Sequence, residues 1–442
     1  MSVAKFTQVV FLLLVGLAAD PSCWTQTYSV LYSFTGGVDG ASPEAGLILD
    51  PAGNLYGTTF GANAYPYGQI TGTTAGSIFK LTSGGVFTLL YNFGAGGANG
   101  SSPSGGLVRD SAGNLYGSTY GGGASTNPNC FAGLNKLPAN GCGEVFKMEA
   151  NGNFSVLYSF SGKSYCWTGC EPLAPLTLDA AGNLYGTTYL GGSRNCNLYK
   201  LNSLGGLENS DCGVVFKLDT TGKETVLHRF GSARKEGDFP NPGLILDTAG
   251  NLYGTTLGGG INSNGGNGGA GTVFKLDPAG NETVLFYFQE FVSGYNPNGG
   301  LLRDSAGNLY GTTRGFVGSG QNGAFKMDPE GNLSQFSPLD GIPYAGLNRD
   351  GAGNFYGTEL EGGNQAQSCG YYGNATCGRV FKLDPLGNLT LLYDFKGGSD
   401  GDAPYASLVV DAAGNLYGTT AYGGTINNAC PSGCGVVFKI TP

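Results

Sequence analysis

The chain has 442 residues and a formal net charge of −9, with 40% hydrophobic, 12% aromatic and 12% charged residues. An acidic chain without a basic run excludes nucleic acid as a partner, and the apolar content excludes the polar, highly charged composition of disorder. Its 82 glycines follow no three-residue period, which excludes collagen and assigns glycine to tight turns and close backbone packing.

Taken from its start, the chain opens with what reads as a secretory signal peptide over residues 1–22. Lys5 supplies the positive charge, Val9 to Ala19 the apolar stretch, and Ala18 and Ala19 the small residues near a cleavage site. About eleven apolar residues are too few to span a bilayer as a helix, which takes roughly 20. Asp20-Pro21-Ser22 before Cys23 suits lipoprotein processing poorly. Tyr28 to Phe34 then reads as a lone strand.

The next unit, Gly46 to Phe93, predicts four strands. Gly46 to Asp50 is a short apolar run, followed by a turn in which Asp50 accepts backbone N–H bonds and Gly53 takes a positive φ. Leu55 to Thr59 is the second strand, Ser77 to Leu81 the third and Val86 to Phe93 the fourth. The stretch Asp50-Pro-Ala-Gly-Asn-Leu-Tyr-Gly-Thr-Thr59 returns from Asp110, Asp179, Asp247, Asp304, Asp350 and Asp411, at spacings of 60, 69, 68, 57, 46 and 61. Such self-similarity identifies a repeat architecture. The strands are too apolar for one solvated face, so both faces need cover. Four-stranded sheets stacked face to face around an axis provide it.

After the last motif come three strands, Ser407 to Asp411, Leu416 to Thr420 and Gly435 to Ile440, with no fourth. Tyr28 to Phe34 supplies that fourth strand and closes the ring, removing exposed sheet edges. The expectation is an all-β, seven-bladed β-propeller of four-stranded antiparallel blades over residues 28–442 as a single domain. In such a meander the short, uniform turns share one face. The long, varied loops share the other, the loop face, where specificity belongs.

The combination D-x-A-G-N-L-Y-G-T-T and G-x-V-F-K-L-D-P-x-G-N resembles the GloVer tandem-repeat proteins, and is similar more distantly to NHL-type propeller repeats. The resemblance covers nearly all of the chain after the signal. It implies export and repeats but no activity. It also implies varied C-terminal anchors, whereas Gly435 to Pro442 here finish a repeat without a sorting tail.

The repeated Asp reads as a turn cap, since a catalytic site has no use for seven copies. The repeated Tyr reads as packing between blades with a partner for its hydroxyl, and the Gly after it as room for neighbouring sheets. Phe-Lys recurs in the third strands, with Phe packed and the Lys stem laid over the outer blade surface. His228, the only histidine, replaces the tyrosine of other fourth strands and reads as packing. Asp-Gly and Asn-Gly loops such as Val38 to Ala41 read as turns, and no metal or cofactor is expected.

Ten cysteines form near pairs in the loop-face insertions: Cys130 and Cys142, Cys166 and Cys170, Cys196 and Cys212, Cys369 and Cys377, Cys430 and Cys434. In an exported chain they predict local disulfides; Cys23 is left over. The same loops carry Phe60, Tyr65, Tyr67, Tyr120, Phe131, Tyr165, Trp167, Tyr189, Tyr371, Tyr372 and Tyr422, the candidate ligand-binding residues. The leading reading is a secreted, monomeric, non-catalytic protein that binds a glycan or protein ligand through this face. A polysaccharide hydrolase or lyase is the alternative, with acids drawn from Glu236, Asp238, Glu359, Glu361 and Asp402 and with Arg314 for charge. A structural surface or matrix component is the third.

Overall fold

The computed structural model describes residues 26–61, 74–94, 99–123, 141–161, 168–192, 196–201, 207–210, 212–231, 236–241, 243–260, 269–289, 296–313, 322–363, 369 and 376–441. Seven four-stranded antiparallel sheets follow one another along it. Blade 1 is Ile48–Leu49, Leu55–Thr59, Thr74–Leu81 and Phe87–Gly94; blade 2 is Val108–Arg109, Leu115–Thr119, Glu144–Met148 and Phe154–Ser159. Blade 3 is Thr177–Leu178, Leu184–Thr188, Val214–Leu218 and Glu224–Arg229; blade 4 is Ile245–Leu246, Leu252–Thr256, Thr272–Leu276 and Glu282–Tyr287. Blade 5 is Leu302–Arg303, Leu309–Thr313, Gly323–Met327 and Leu333–Pro338; blade 6 is Asn348–Arg349, Phe355–Glu359, Arg379–Leu383 and Leu389–Asp394. Blade 7 takes Val409–Val410, Leu416–Thr420 and Val436–Thr441 from the C-terminus and Thr27–Ser33 from the N-terminus. No helix of the described residues is long and apolar enough to cross a membrane.

The motif builds each blade from its turn outward. In blade 1 the Asp50 carboxylate accepts the Asn54 backbone N–H at 2.9 Å, the Asn54 amide at 2.8 Å and the Tyr56 hydroxyl at 3.1 Å. The hydroxyl bond recurs in the other six blades, from Tyr116, Tyr185, Tyr253, Tyr310, Tyr356 and Tyr417 to their own Asp, at 3.0–3.2 Å. Gly57 lies opposite Phe79 in the register. A Cβ on Gly57 would meet the Phe79 ring at 2.6 Å and Leu47 at 2.8 Å. The glycine therefore makes room for an aromatic ring of its own blade, not for a neighbouring sheet. Lys80 also differs from expectation: its Nζ lies 5.5 Å from the Tyr56 ring centroid, a cation–π contact repeated in blades 3, 4, 5 and 7.

One irregularity lets a single strand serve two neighbours. The third and fourth strands shift register at the same place in every blade; in blade 1, which has a second shift between Thr74 and Ser77, Ile78 pairs with Tyr91 but Phe79 pairs with Leu89. A one-residue bulge reverses side-chain parity. Phe87, before it, stacks on Tyr32 of blade 7 at 4.1 Å, and Tyr91, after it, stacks on Phe154 of blade 2 at 3.8 Å. Farther in, Phe93 meets Phe146 edge to face at 5.5 Å. The same pair recurs as Phe34–Phe79, Phe160–Phe216, Phe230–Phe274, Phe288–Phe325 and Phe395–Phe438. At the boundary of blades 5 and 6, Leu339 takes the first place and packs with Phe381. Each such aromatic pair contributes about 0.5–1.5 kcal/mol beyond its burial.

The first strands have two residues rather than the five expected, because the chain leading to them bends in through proline. Between the second and third strands of blade 3, Cys196–Leu201 and Leu207–Ser210 form a hairpin of their own where a plain loop was expected.

Burial alone would raise the seven Asp carboxyls. Hydrogen bonds from the Asn side chain and backbone, the Tyr hydroxyl and an Ala N–H outweigh it and hold each below the usual range. A carboxyl held low when folded contributes stability above its unfolded value of about 4 and loses it as pH falls through the folded value. The melting temperature should therefore drop steeply below about pH 4, and Asp110→Ala should cost about 2 kcal/mol at pH 7 in denaturant titration. Deleting residues 26–34 should open the edge at Val436–Thr441 and produce concentration-dependent association in light scattering; a monodisperse, equally stable deletion would count against closure.

Candidate functional site

Each first strand is reached through a segment Pro-x-x-x-Leu, with small residues or proline at the third and fourth places: from Pro43, Pro103, Pro172, Pro240, Pro297, Pro343 and Pro404. These seven segments meet in sequence around the ring. A Cβ on Gly105 would lie 2.5 Å from the Ala174 carbonyl oxygen of the next blade, and one on Gly346 would lie 2.7 Å from that of Gly300. The first Thr of the motif fastens the ring: Thr58, Thr255, Thr312, Thr358 and Thr419 donate to Pro103, Pro297, Ala345, Ala406 and Ala45 of the following blade at 3.1–3.5 Å. Neighbouring blades are backbone to backbone here and a phenyl ring apart at the fourth strands. The Pro-x-x-x-Leu segments are therefore the hub.

The residue before the proline is left-handed in six blades: Ser42, Ser102, Glu171, Phe239, Asn296 and Ala403, at φ 49–58°. A side chain ahead of proline disfavours this region, at a cost of order 1–3 kcal/mol each. It is held because its N–H donates across the boundary: Ser42 to the Cys434 carbonyl at 2.9 Å, Glu171 to Cys142 at 3.1 Å, Phe239 to Cys212 at 2.9 Å and Ala403 to Cys377 at 3.0 Å. The cysteines of the loop-face insertions thus supply the acceptors that fix the rim of the hub. Cys369–Cys377 and Cys430–Cys434 are disulfides. Cys142, Cys170 and Cys212 are disulfide-bonded too; Cys130 and Cys166 lie outside the described residues, and of Cys196 only the backbone is described.

The second position of the hub segment is the variable one: Glu44, Ser104, Leu173, Asn241, Asn298, Tyr344 and Tyr405. Asn298 is buried and the rest are half-buried, against mostly buried neighbours. They touch from blade to blade. The Asn241 amide donates to the Asn298 side-chain oxygen at 3.0 Å, and the Tyr344 and Tyr405 rings lie 5.1 Å apart at 84°. Glu44 keeps some solvent contact, yet protein surrounds it, and this burial pushes its carboxyl up to about 8. At neutral pH it therefore keeps its proton and can donate a hydrogen bond.

The expected aromatics fall into three groups. Phe60 and Tyr120 sit in adjacent blades just above the hub, ring centroids 6.2 Å apart, and Tyr189 packs on Phe239 at 4.9 Å. Tyr422 is buried with Leu360, Ala403 and Ala421. Tyr65, Tyr67, Phe131, Tyr165, Trp167, Tyr371 and Tyr372 lie outside the described residues, as does Arg314. The acids of the hydrolase alternative are dispersed. Glu236 and Asp238 stand at the boundary of blades 3 and 4, where burial pushes the Asp238 carboxyl up to about 6. Glu359, fully buried, is paired with Arg379, and Glu361 accepts the Ile342 N–H through its backbone. Asp402, at the boundary of blades 6 and 7, pairs through its backbone with Tyr422. Asp39 accepts from Tyr32 and from both Thr35 donors, so its carboxylate serves the turn.

The hub residues carry a sequence signal of their own, a fixed proline and leucine around one variable position in seven copies. It is overshadowed by the longer Asp-to-Thr motif that follows.

Seven four-stranded blades with a closed seam and a uniform hub define a tandem-repeat β-propeller. Residues 19–196 and 138–368 match the Gloeobacter/Verrucomicrobia repeat, and the chain belongs to that family. No curated protein matches it in sequence. Among solved structures it is similar to a gluconolactonase from Xanthomonas campestris, with 15% identity, 67% of this chain and 78% of that one covered, and a TM-score of 0.38. It is also similar to a protein described as an oxidoreductase (glucose dehydrogenase) from Thermus thermophilus, with 12% identity, 94% and 99% covered, and a TM-score of 0.41. Likeness at this level carries no argument about activity.

Glu44 generates a prediction. Its folded carboxyl binds a proton more tightly than the unfolded one, so it subtracts stability as pH rises from about 4.3 to about 8. Glu44→Gln should leave the melting temperature unchanged at pH 4 and raise it relative to wild type at pH 8–9.

Proposed function

We propose that this protein is a secreted, non-catalytic binding propeller that takes a carbohydrate at the loop-face mouth of its hub. The observation that carries the reading is the variable hub position. Seven copies of one segment keep their proline and leucine and vary at one place, where two tyrosines, two asparagines, a serine, a leucine and a neutral glutamic acid stand, all but the buried Asn298 half-exposed. Tyrosine rings cover the apolar face of a sugar ring, and amides with a protonated carboxyl match its hydroxyls. A few convergent polar groups beside aromatic walls are the usual make-up of a small-molecule site. The disulfides favour an oxidising compartment, in keeping with export.

The test is a glycan array followed by calorimetry on the best ligand. Tyr344→Ala with Tyr405→Ala should weaken binding at least about tenfold, because losing central aromatic anchors commonly costs more than about 1.4 kcal/mol. Trp167→Ala, outside the hub segments, should leave it within about twofold. Absence of any glycan ligand, or equal binding by the double variant, would overturn the proposal.

A further inference from the structure

The outer wall carries one boundary unlike the rest. At two boundaries the fourth-strand tyrosine of one blade stacks on an aromatic residue at the start of the next blade's fourth strand, and an acid in the following loop accepts from that tyrosine. Between blades 7 and 1 the three places are Tyr32, Asp39 and Phe87: Tyr32 donates to Asp39 at 3.1 Å and stacks on Phe87 at 4.1 Å. Between blades 6 and 7 they are Tyr393, Asp400 and Tyr28, with a 2.8 Å hydrogen bond and a 4.0 Å stack. Between blades 3 and 4 they are His228, Glu236 and Glu282: the acid place stays an acid, and both aromatic places have changed to residues that ligate metals.

Their side chains converge. One ligand atom from each lies within 4.8 Å of the others, and His228 Nε2 is 3.8 Å from Glu282 Oε2. The Glu282 side chain is only 8% exposed, yet its Oε1 has no hydrogen-bond partner, and neither has His228 Nε2. Buried polar atoms of folded proteins are nearly always satisfied, so two such atoms within one cluster of ligand-type side chains call for a missing partner. His228 hydrogen-bonds the Gly280 backbone. Since Nε2 is unpartnered, that bond belongs to Nδ1, and it leaves the Nε2 lone pair directed at the carboxylates, the arrangement by which a backbone carbonyl orients a metal-ligating histidine.

We propose that His228, Glu236 and Glu282 form a site for a divalent transition metal of the zinc type, which staples blade 3 to blade 4 where the boundaries of blades 7 and 1, 1 and 2, and 6 and 7 use stacked rings. One imidazole and two carboxylates suit Zn²⁺ at about 2.0–2.2 Å per ligand, with a fourth position left for water. A ligand atom 4.8 Å from another needs a small side-chain rotation to reach that geometry.

The chain has a single histidine, so every imidazole-dependent metal effect in tag-free protein reports this place. The experiment is calorimetry and thermal unfolding of tag-free, chelator-treated protein with ZnCl₂. One equivalent should bind, and the melting temperature should rise with zinc and fall back with chelator. His228→Tyr and Glu282→Phe restore the residues of other boundaries and keep the fold; each should weaken zinc binding at least about 100-fold, at or beyond the upper end of the loss from removing an outer-shell partner. Cobalt in place of zinc should give visible d–d bands that are absent from His228→Tyr. Failure of wild type to bind zinc, or equal binding and zinc-dependent melting in both variants, overturns the proposal. Because the site lies on the outer wall, its failure leaves the carbohydrate reading of the hub untouched.

Discussion

The bond from the motif tyrosine to the motif aspartate joins two levels of the structure in one contact. The aspartate already holds the turn through the Asn54 backbone and side chain in blade 1. Its second oxygen also receives the hydroxyl of Tyr56, whose ring packs into the boundary with blade 2. The turn therefore sets where a large inter-blade side chain stands, and the side chain in turn satisfies a partly buried carboxylate. A tyrosine without that acceptor would bury an unsatisfied hydroxyl, and an aspartate without the tyrosine would lose one of the donors that keep it ionised. Repeated in seven blades, the pairing gives every boundary the same inner geometry.

That uniformity is what closes the ring. A wedge-shaped blade needs little material near the axis and much at the rim. Glycine, alanine and proline crowd the hub, where backbones of adjacent blades approach, while phenylalanine pairs at about 5 Å fill the outer boundary. The bulge in each fourth strand supplies rim side chains to both neighbours from one strand. Without the parity change, Phe87 and Tyr91 would point the same way and one boundary would lose its aromatic row.

The seven repeats, the four strands per blade and the closure by Thr27–Ser33 were legible in the sequence because each depends on local patterns that recur: a turn, an apolar run, a strand without its companions. Three things were hidden for physical reasons. The role of Gly57 depends on which residue of the third strand lies opposite it, and register across a long loop is not a local property. The bulge leaves no mark in composition, since Leu89-Leu90-Tyr91 reads as an ordinary strand. The hub position of Glu44 was hidden because its segment looks like a plain loop; its significance comes from seven such loops meeting at one axis. The insertions with Trp167 and Tyr165 were conspicuous in sequence because they vary most in length and composition.

A repeat of this regularity is its own control. Where seven copies of a place share one environment, a substitution at one of them is measured against six neighbours within the same molecule. At the second-strand end, Thr59, Thr119, Thr188, Thr256, Thr313 and Thr420 are buried hydroxyls, and the seventh, Glu359, is a buried carboxylate matched by Arg379. That departure arrives with its compensation, and the pair is complete as a structural device. The departure at His228 and Glu282 arrives without it: two buried atoms are left with no hydrogen bond where three other boundaries stack rings. Glu44 is similar in kind, a carboxyl surrounded by protein at a place where other blades carry neutral side chains. Compensated departures preserve the ring. Uncompensated ones cost stability unless something outside the chain completes them.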